Sequence, residues 1–512
     1  MVSRIKNIIF GFKYILFNKR YFKNNESLNN GVILVELFNY KASIISVSLF
    51  INAFCSLYKT SIVGFEPLNF SLKKKIKFFI NKLNILHFYK FYKSFGVKKI
   101  IIPKVKANKI ALSIAKEIIK KIDSKKKILD IKIKNIKIGD LIYDSYLRDN
   151  RLPTIDYKSK IFEKYIKNVV KIFLYWYEYF EKENVKAIVI SHSVYTLAIP
   201  ARIALKKKIK VYNIGAASCY KLSKDKPLRW SNFDSYKKFF KSLNKRKQKE
   251  AIEIAKKNLS QRLKGENDIL YQRGFDMPHV FKEKKEIKNI FKTKKRKVII
   301  AAHSFHDAPH VHGKMIFPDF SDWINYLGKK SNKIKKYEWC IKLHPSDFEE
   351  NHKFIKDIAG KYKSLTFLPK DSTHIQILKE NVVAVLTVYG SIGHEYPLFN
   401  IPVINAGYGP HFHYNFNYNP KTLKQYNKLL NNLEKLKVNK KDIVDIYKFY
   451  YSHYLIDYEI FNKLPKTDFN LDSSNLFNYF INSFKSREKK KIKEDFINFI
   501  ISNKRRMIKV SL

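Results

Sequence analysis

The chain has 512 residues and carries 101 Lys and Arg against 44 Asp and Glu, a formal charge of +57; length allows two to four domains and the charge admits phosphorylated substrates or an anionic membrane as partners. The lysines run the whole length beside heavy use of Ile, Asn, Phe and Tyr, which reads as compositional bias, and no nucleic acid is expected as a partner. Cys55, Cys219 and Cys340 stand far apart, which excludes a disulfide framework and a zinc-ligand spacing. The longest charge-free run, 42–58, is too short and too rich in Ser and Asn for a comfortable membrane span and reads as a buried helix.

In chain order, residues 1–30 form a basic amphipathic leader without the apolar core of a signal peptide. A strand over 31–37, the helix over 42–58 and a strand over 61–64 make a βα unit with its return strand. Helix over 71–95, strand over 99–102 and helix over 108–122 continue the alternation. Loop chemistry follows at Asp140, Asp144 and Arg148, then a long aromatic-rich helix over 159–183. The strand 185–190 ends in Ser191-His192-Ser193-Val194-Tyr195, and the strand 210–214 ends at Gly215. Strands that finish in polar residues are the mark of an open parallel sheet, so 31–235 is expected to be a Rossmann-like domain. Its loop residues Asp140, Asp144, Arg148, His192 and Tyr195 are candidates for acceptor contact.

Residues 236–296 are strongly charged and read as a helical connector, with a helix over 236–263 and a link around Gly274 and Pro278. A second Rossmann-like domain is expected over 297–440, and helices over 441–512 close the chain. The last of these holds Arg487, Lys489, Lys490, Lys491 and Lys493, a solvated face or a docking face for an anionic bilayer.

Three strand-like apolar runs in the second domain end in turn-forming chemistry: 298–302 before His303, a run ending Ile341-Lys342-Leu343 before His344-Pro345, and 382–388 before Tyr389-Gly390-Ser391-Ile392-Gly393-His394-Glu395. Ten of the fourteen histidines lie between His303 and His413. A turn at Gly390, Ser391 and Gly393 that opens a helix would aim backbone N–H groups and the positive helix end at a phosphate. Glu395, one turn on, would face the same crevice and accept from ribose hydroxyls. His344 would hydrogen-bond the leaving phosphate. Across the cleft, Asp307 or His306 is expected as the base that takes an acceptor proton, with His303 and His310 orienting partners and His310 also near the donor. His303, His306, His310 and His312 are also metal-ligand types, but no second cluster accompanies them, so no metal or cofactor is expected.

The residues Lys342-Leu343-His344-Pro345, then 387–395, then Ile401-Pro402-Val403-Ile404 resemble GT-B glycosyltransferases of the bacterial capsular and surface-polysaccharide type. That group is similar to capsule Kdo transferases, HP-motif sialyltransferases and CDP-glycerol glycerophosphotransferases. The resemblance implies a cytoplasmic enzyme, peripheral on the inner face of the membrane, that moves a sugar from a nucleotide donor to a glycan or glycolipid. It also implies donor contacts at His344, Pro345, Ser391 and Glu395. A CDP-polyol phosphotransferase, a nucleotide-sugar epimerase and a basic non-enzymatic scaffold remain alternatives; fold does not decide among them.

Overall fold

The computed structural model describes residues 2–22, 30–66, 87–103, 108–215, 218–266, 280–282, 287–344, 351–455, 475–483, 486–502 and 507–509. Its strands are β1 (Val32–Glu36), β2 (Ser61–Phe65), β3 (Val97–Ile101), β4 (Lys132–Ile133), β5 (Ile136–Lys137), β6 (Val185–Ile190), β7 (Lys210–Ile214) and β8 (Ser218–Leu222) in the first half. The second half holds β9 (Lys297–Ala301), β10 (Glu338–Lys342), β11 (Leu365–Phe367), β12 (Val382–Thr387) and β13 (Val403–Asn405), and β14 (Met507–Lys509) lies near the C-terminus.

The first sheet runs β14-β8-β7-β6-β1-β2-β3 and the second β11-β10-β9-β12-β13. In each, the first strand of the half is central: two strands follow outward on one side before the chain crosses to the other. That is the doubly wound plan, with a switch point between β1 and β6 in one sheet and between β9 and β12 in the other. All pairings are parallel except β7 with β8, β8 with β14, and the small β4–β5 hairpin.

Alternation along the strands explains why both faces are covered. Ile33 and Val35 pack with the helices Lys41–Tyr58 and Ser486–Ile501, while Leu34 packs against Lys160–Lys182 and Gly139–Asn150. The helix Lys41–Tyr58, which holds the charge-free run 42–58, is thus a core helix, buried at fourteen positions. In the second sheet Val298 and Ile300 face one core and Ile299 the other. Gly31 (φ +84°) starts β1 because a Cβ there would lie 2.4 Å from the Asn184 carbonyl oxygen. At the amino end of the second sheet, buried Glu338 accepts from Lys292 N, Thr293 N, Thr293 Oγ1, Lys297 Nζ and Thr366 Oγ1, tying β9, β10 and β11 together away from the ligand end.

The architecture is GT-B-like: two Rossmann-like domains whose sheets present their carboxyl ends to a shared cleft. Several expectations are corrected. Residues 139–144 are the start of a helix, Gly139–Asn150, that buries Leu141, Tyr143 and Asp144, and not a loop. The expected helix over 236–263 is broken at Leu243–Asn244 into Tyr236–Ser242 and Lys245–Leu263, with Asn244 capping the second. The expected C-terminal helices are present and divide between the two halves. Ile443–Tyr454 packs on Lys245–Leu263, whereas Asn475–Ser483 and Ser486–Ile501 return to the first domain, where Phe477, Phe480, Phe496 and Phe499 are buried. The hairpin and strands β8, β11 and β14 are absent from the reading of the sequence. Part of the helix expected over 71–95, the link at Gly274 and Pro278, and the side chains of Arg487, Lys489 and Lys490 lie outside the described residues.

Candidate functional site

Each switch point is bridged by a side chain from the end of its central strand. In the first domain Glu36 closes β1, buried, and accepts from Ser191 N at 2.6 Å and Ser191 Oγ at 2.7 Å, just beyond β6. Ser191 Oγ also lies 2.7 Å from His192 Nδ1. In the second domain His303, after β9, is placed with Nε2 3.3 Å from Val388 N, 3.4 Å from Tyr389 N and 3.2 Å from Thr387 Oγ1, beyond β12. A ring nitrogen that accepts backbone N–H groups carries no proton, and burial, with His344 and His312 nearby, pushes the His303 pKa down to about 3. His303 stacks on Phe320 at 4.8 Å and ties β9 to β12.

The two switch points face each other. Tyr195 Oη donates to Asp307 Oδ1 at 2.7 Å across the cleft, and the Arg148 guanidinium lies 4.3 Å from the Tyr195 ring centre. Tyr195 adopts φ 63°, ψ 171°, a region open almost only to glycine, at a cost of about 1–3 kcal/mol. Asp307 is exposed. His192 is exposed; desolvation, then Arg148 and Arg229, push its pKa down to about 4, against the pull of Asp307. His344 is half-buried, and burial lowers its pKa, with Lys342 and His306 adding to the effect and Asp307 opposing it. The structure therefore brings His192, Tyr195 and Arg148 of the first half together with Asp307 and His344 of the second.

Other candidates are placed elsewhere. His306 is 7% exposed and lies 3.4 Å from Ser304 Oγ, so it is less open to an acceptor than Asp307. His310 is held between the domains: its Nδ1 lies 2.6 Å from Asp144 Oδ1, and its backbone N donates to Asp144 Oδ2 at 3.3 Å. Asp144, expected to meet an acceptor, is thereby consumed in a buried contact between domains. Asp140 pairs with Arg202 at 2.6 Å. Asp319 makes a further tie, accepting from Tyr143 Oη and Thr154 Oγ1, each at 2.6 Å, and from Lys125 Nζ at 3.3 Å. Beside the Asp144–His310 contact lies a cleft of about 980 Å³ whose walls include Asp140, Arg202, His310 and His312; His344 and Ser391 are not part of it.

The turn at 390–395 departs from expectation. The helix it opens, Ile392–Glu395, is a single turn, and Gly393 N donates to Gly390 O at 3.0 Å. Gly390 N donates to Thr387 Oγ1 at 3.2 Å. Gly390 and Ser391 remain half-buried just beyond β12. Gly393 is required by packing, since a Cβ there would stand 2.6 Å from the His411 ring. Glu395 does not open on the crevice: it is 1% exposed and accepts from Arg262 Nε at 2.6 Å. Pro345 lies outside the described residues.

The histidine cluster disperses into ties. His374 Nδ1 meets Tyr396 Oη at 2.8 Å, and His394 Nδ1 meets His411 Nε2 at 3.1 Å, with burial lowering the pKa of all three rings. Among the described residues no group of three His, Cys, Asp or Glu is placed to hold a metal ion. The reading of the sequence missed Glu36, Arg229, Lys125, Asp319 and Arg262. For Glu36 a signal existed, a lone carboxylate ending an apolar central strand.

Glu36, Ser191 and His192 make a directional relay. Ser191 has one hydroxyl proton; against an ionised Glu36 it points to the carboxylate, so Oγ accepts from His192 Nδ1–H and Nε2 is the basic nitrogen. Against a protonated Glu36 the order reverses and His192 presents Nε2–H. Burial pushes Glu36 up to about 7, opposed by the Ser191 bonds, so the reversal falls near neutrality. In Glu36→Gln, Ser191 N–H fixes the amide oxygen and turns the NH₂ toward Ser191 Oγ, holding the reversed order at every pH. Nitrogen-15 NMR of the histidines should show a His192 tautomer change near neutrality in the wild type and none in Glu36→Gln; the same change in both would refute the relay. Because the folded carboxyl keeps its proton where the unfolded one loses it, this group makes stability fall as pH rises from the ordinary glutamate range through about 7. Glu36→Gln should remove that decline.

No protein-family model matches the chain, and no curated protein matches it in sequence. Among solved structures it is similar to the S. aureus protein MnaA in a co-structure with UDP, at 10% identity and TM-score 0.24, over 89% of this chain and 98% of that one. A UDP-GlcNAc 2-epimerase of Methanocaldococcus jannaschii, in complex with UDP-GlcNAc and UDP, gives 11%, 0.26, 83% and 99%. A glycosyltransferase of Rickettsia africae gives 10%, 0.26, 91% and 99%. At such scores no residue and no activity is transferred, and the GT-B-like fold of this chain rests on its own two strand orders.

Proposed function

We propose that the chain is a glycosyltransferase that moves a sugar from a nucleotide-activated donor to a glycan or glycolipid in surface-polysaccharide synthesis. The observation that carries this reading is the convergence of His192, Tyr195 and Arg148 with Asp307 and His344 across one cleft, at the switch points of two sheets, where doubly wound folds bind nucleotides. The second domain holds the donor: its phosphates lie at Gly390 and Ser391, and neutral His344 donates a hydrogen bond to the oxygen that leaves with the nucleotide. Arg148 and Arg229 supply positive charge from the opposite wall. His192 Nε2 takes the proton of the acceptor hydroxyl as that oxygen bonds to the anomeric carbon and the electrons of the breaking C–O bond pass to phosphate. Asp307, fixed by Tyr195, faces the same space as a second candidate base. A strained Tyr195 is what preorganisation costs at such a site.

Thermal unfolding against CMP, CDP, UDP and GDP tests the proposal. One nucleotide should stabilise the protein, by about 2.7 kcal/mol at about a hundred times its Kd, and His344→Ala should abolish the shift. No shift with any nucleotide would remove the donor site. Product analysis with the selected donor, with and without acceptor, then separates transfer from epimerisation, and a CDP-polyol donor would signal phosphotransfer instead.

A further inference from the structure

The leader is a helix, Val2–Tyr21, with two apolar faces that do different work. One face belongs to the core of the first domain. Tyr14 is fully buried, stacks on Phe477 with ring centres 4.1 Å apart, and donates to Ser48 Oγ at 3.1 Å. Asn18 Nδ2, one turn on, donates to Ser94 Oγ at 2.9 Å. These contacts fix the orientation of the helix on the domain.

The opposite face is apolar and open. At about 100° per residue, Ile5, Ile8, Ile9, Phe12 and Leu16 fall in one stripe on the far side from Tyr14 and Asn18. Their exposures are 52%, 43%, 46%, 43% and 65%. Five large apolar side chains held together in water by a helix whose fold contacts lie on its other side are costly and point to a partner. The same geometry sets exposed Lys6, Lys13 and Arg20 along one edge of the stripe and exposed Lys19 at its C-terminal end, beyond Leu16.

We propose that this face docks the protein on an anionic bilayer, with the helix lying in the interfacial plane, the stripe among the upper acyl chains and the flanking cations at lipid phosphates. Charge complementarity selects this occupant. A second copy would bring another chain of formal charge +57 against the same basic edges, whereas an anionic surface satisfies both the stripe and its rims. The inference stands on the helix alone and does not depend on the transferase reading.

Co-sedimentation of the full-length protein with vesicles tests it. Vesicles of phosphatidylcholine containing roughly a third phosphatidylglycerol should bind the wild type, and pure phosphatidylcholine should bind it far less. The variant Ile5→Ser/Ile9→Ser/Leu16→Ser should lose binding on the order of a hundredfold with an unchanged melting temperature, because these side chains make no core contact. Lys6→Glu/Lys13→Glu should lose roughly thirtyfold. In Leu16→Trp, indole emission should shift to the blue on adding anionic vesicles. Binding retained in the triple serine variant would assign attraction to charge over the whole surface and overturn the proposal. Concentration-dependent self-association that disappears in the same variant would assign the stripe to a second copy and would overturn it equally.

Discussion

Replacing His310 by alanine should open the molecule. The imidazole comes from the second domain and the carboxylate of Asp144 from the first; they meet at 2.6 Å with side chains 4% and 2% exposed. Burial disfavours a charged ring, but Asp144, then Asp140 and Asp319, outweigh it and raise the His310 pKa. For Asp144 burial outweighs the pull of His310, and its carboxyl also moves up. Without the ring, a carboxylate is left in a dry interface beside Asp140, at a cost of about 3–5 kcal/mol. The cheapest response is to separate the domains and hydrate it. Small-angle scattering should show a larger radius of gyration for His310→Ala, and nucleotide affinity should fall with it. Asp144→Ala/His310→Ala, which leaves no carboxylate at position 144, should be milder. Because the His310 pKa is raised on folding, its contribution is complete below the ordinary imidazole value and lost as pH rises through the raised one; the wild type should therefore loosen as pH climbs above the ordinary imidazole range. A compact His310→Ala with unchanged scattering would contradict this.

The second large effect is expected at Glu395 and concerns stability before chemistry. Its carboxylate is 1% exposed and meets Arg262 Nε at 2.6 Å, joining the one-turn helix after β12 to the end of Lys245–Leu263. Glu395→Ala leaves an 11% exposed guanidinium without its carboxylate and should cost about 3–5 kcal/mol, read as a fall in melting temperature. Arg262→Leu/Glu395→Leu, which removes both charges, should recover most of that loss. A ribose ligand behaves differently: Glu395→Ala would then keep its melting temperature and lose nucleotide binding. That outcome would restore the role expected from the sequence.

What was legible in the sequence follows from what local pattern encodes. Apolar runs ending in Ser191-His192, His303, His344 and Tyr389-Gly390 announce strands with ligand chemistry at their carboxyl ends, because a strand buried on both faces must be apolar throughout and can change character only where it leaves the sheet. The two-domain plan followed. Partners did not, since periodicity assigns an element and not what it meets. Asp144 and His310 are 166 residues apart, and nothing near either marks the other. The histidine cluster misled for a related reason: neutral imidazole is both donor and acceptor, so His303, His374 and His394 serve as core ties that spacing cannot tell from ligands. Glu395 looked like a crevice residue because its strand and turn were read correctly while Arg262, from the charged connector, was not placed. In the leader, basic and apolar residues were visible, but only packing shows that Tyr14 and Asn18 point inward and that Ile5, Ile9 and Leu16 are left outside.

The most direct measurement is amide hydrogen exchange with and without the nucleotide that stabilises the protein. If the donor lies between the two switch points, protection should concentrate in 191–195, 303–312, 342–344 and 387–395, from both domains at once. Protection spread over the basic surface, or confined to segments remote from the ends of β1, β6, β9 and β12, would contradict a nucleotide-sugar site in the cleft.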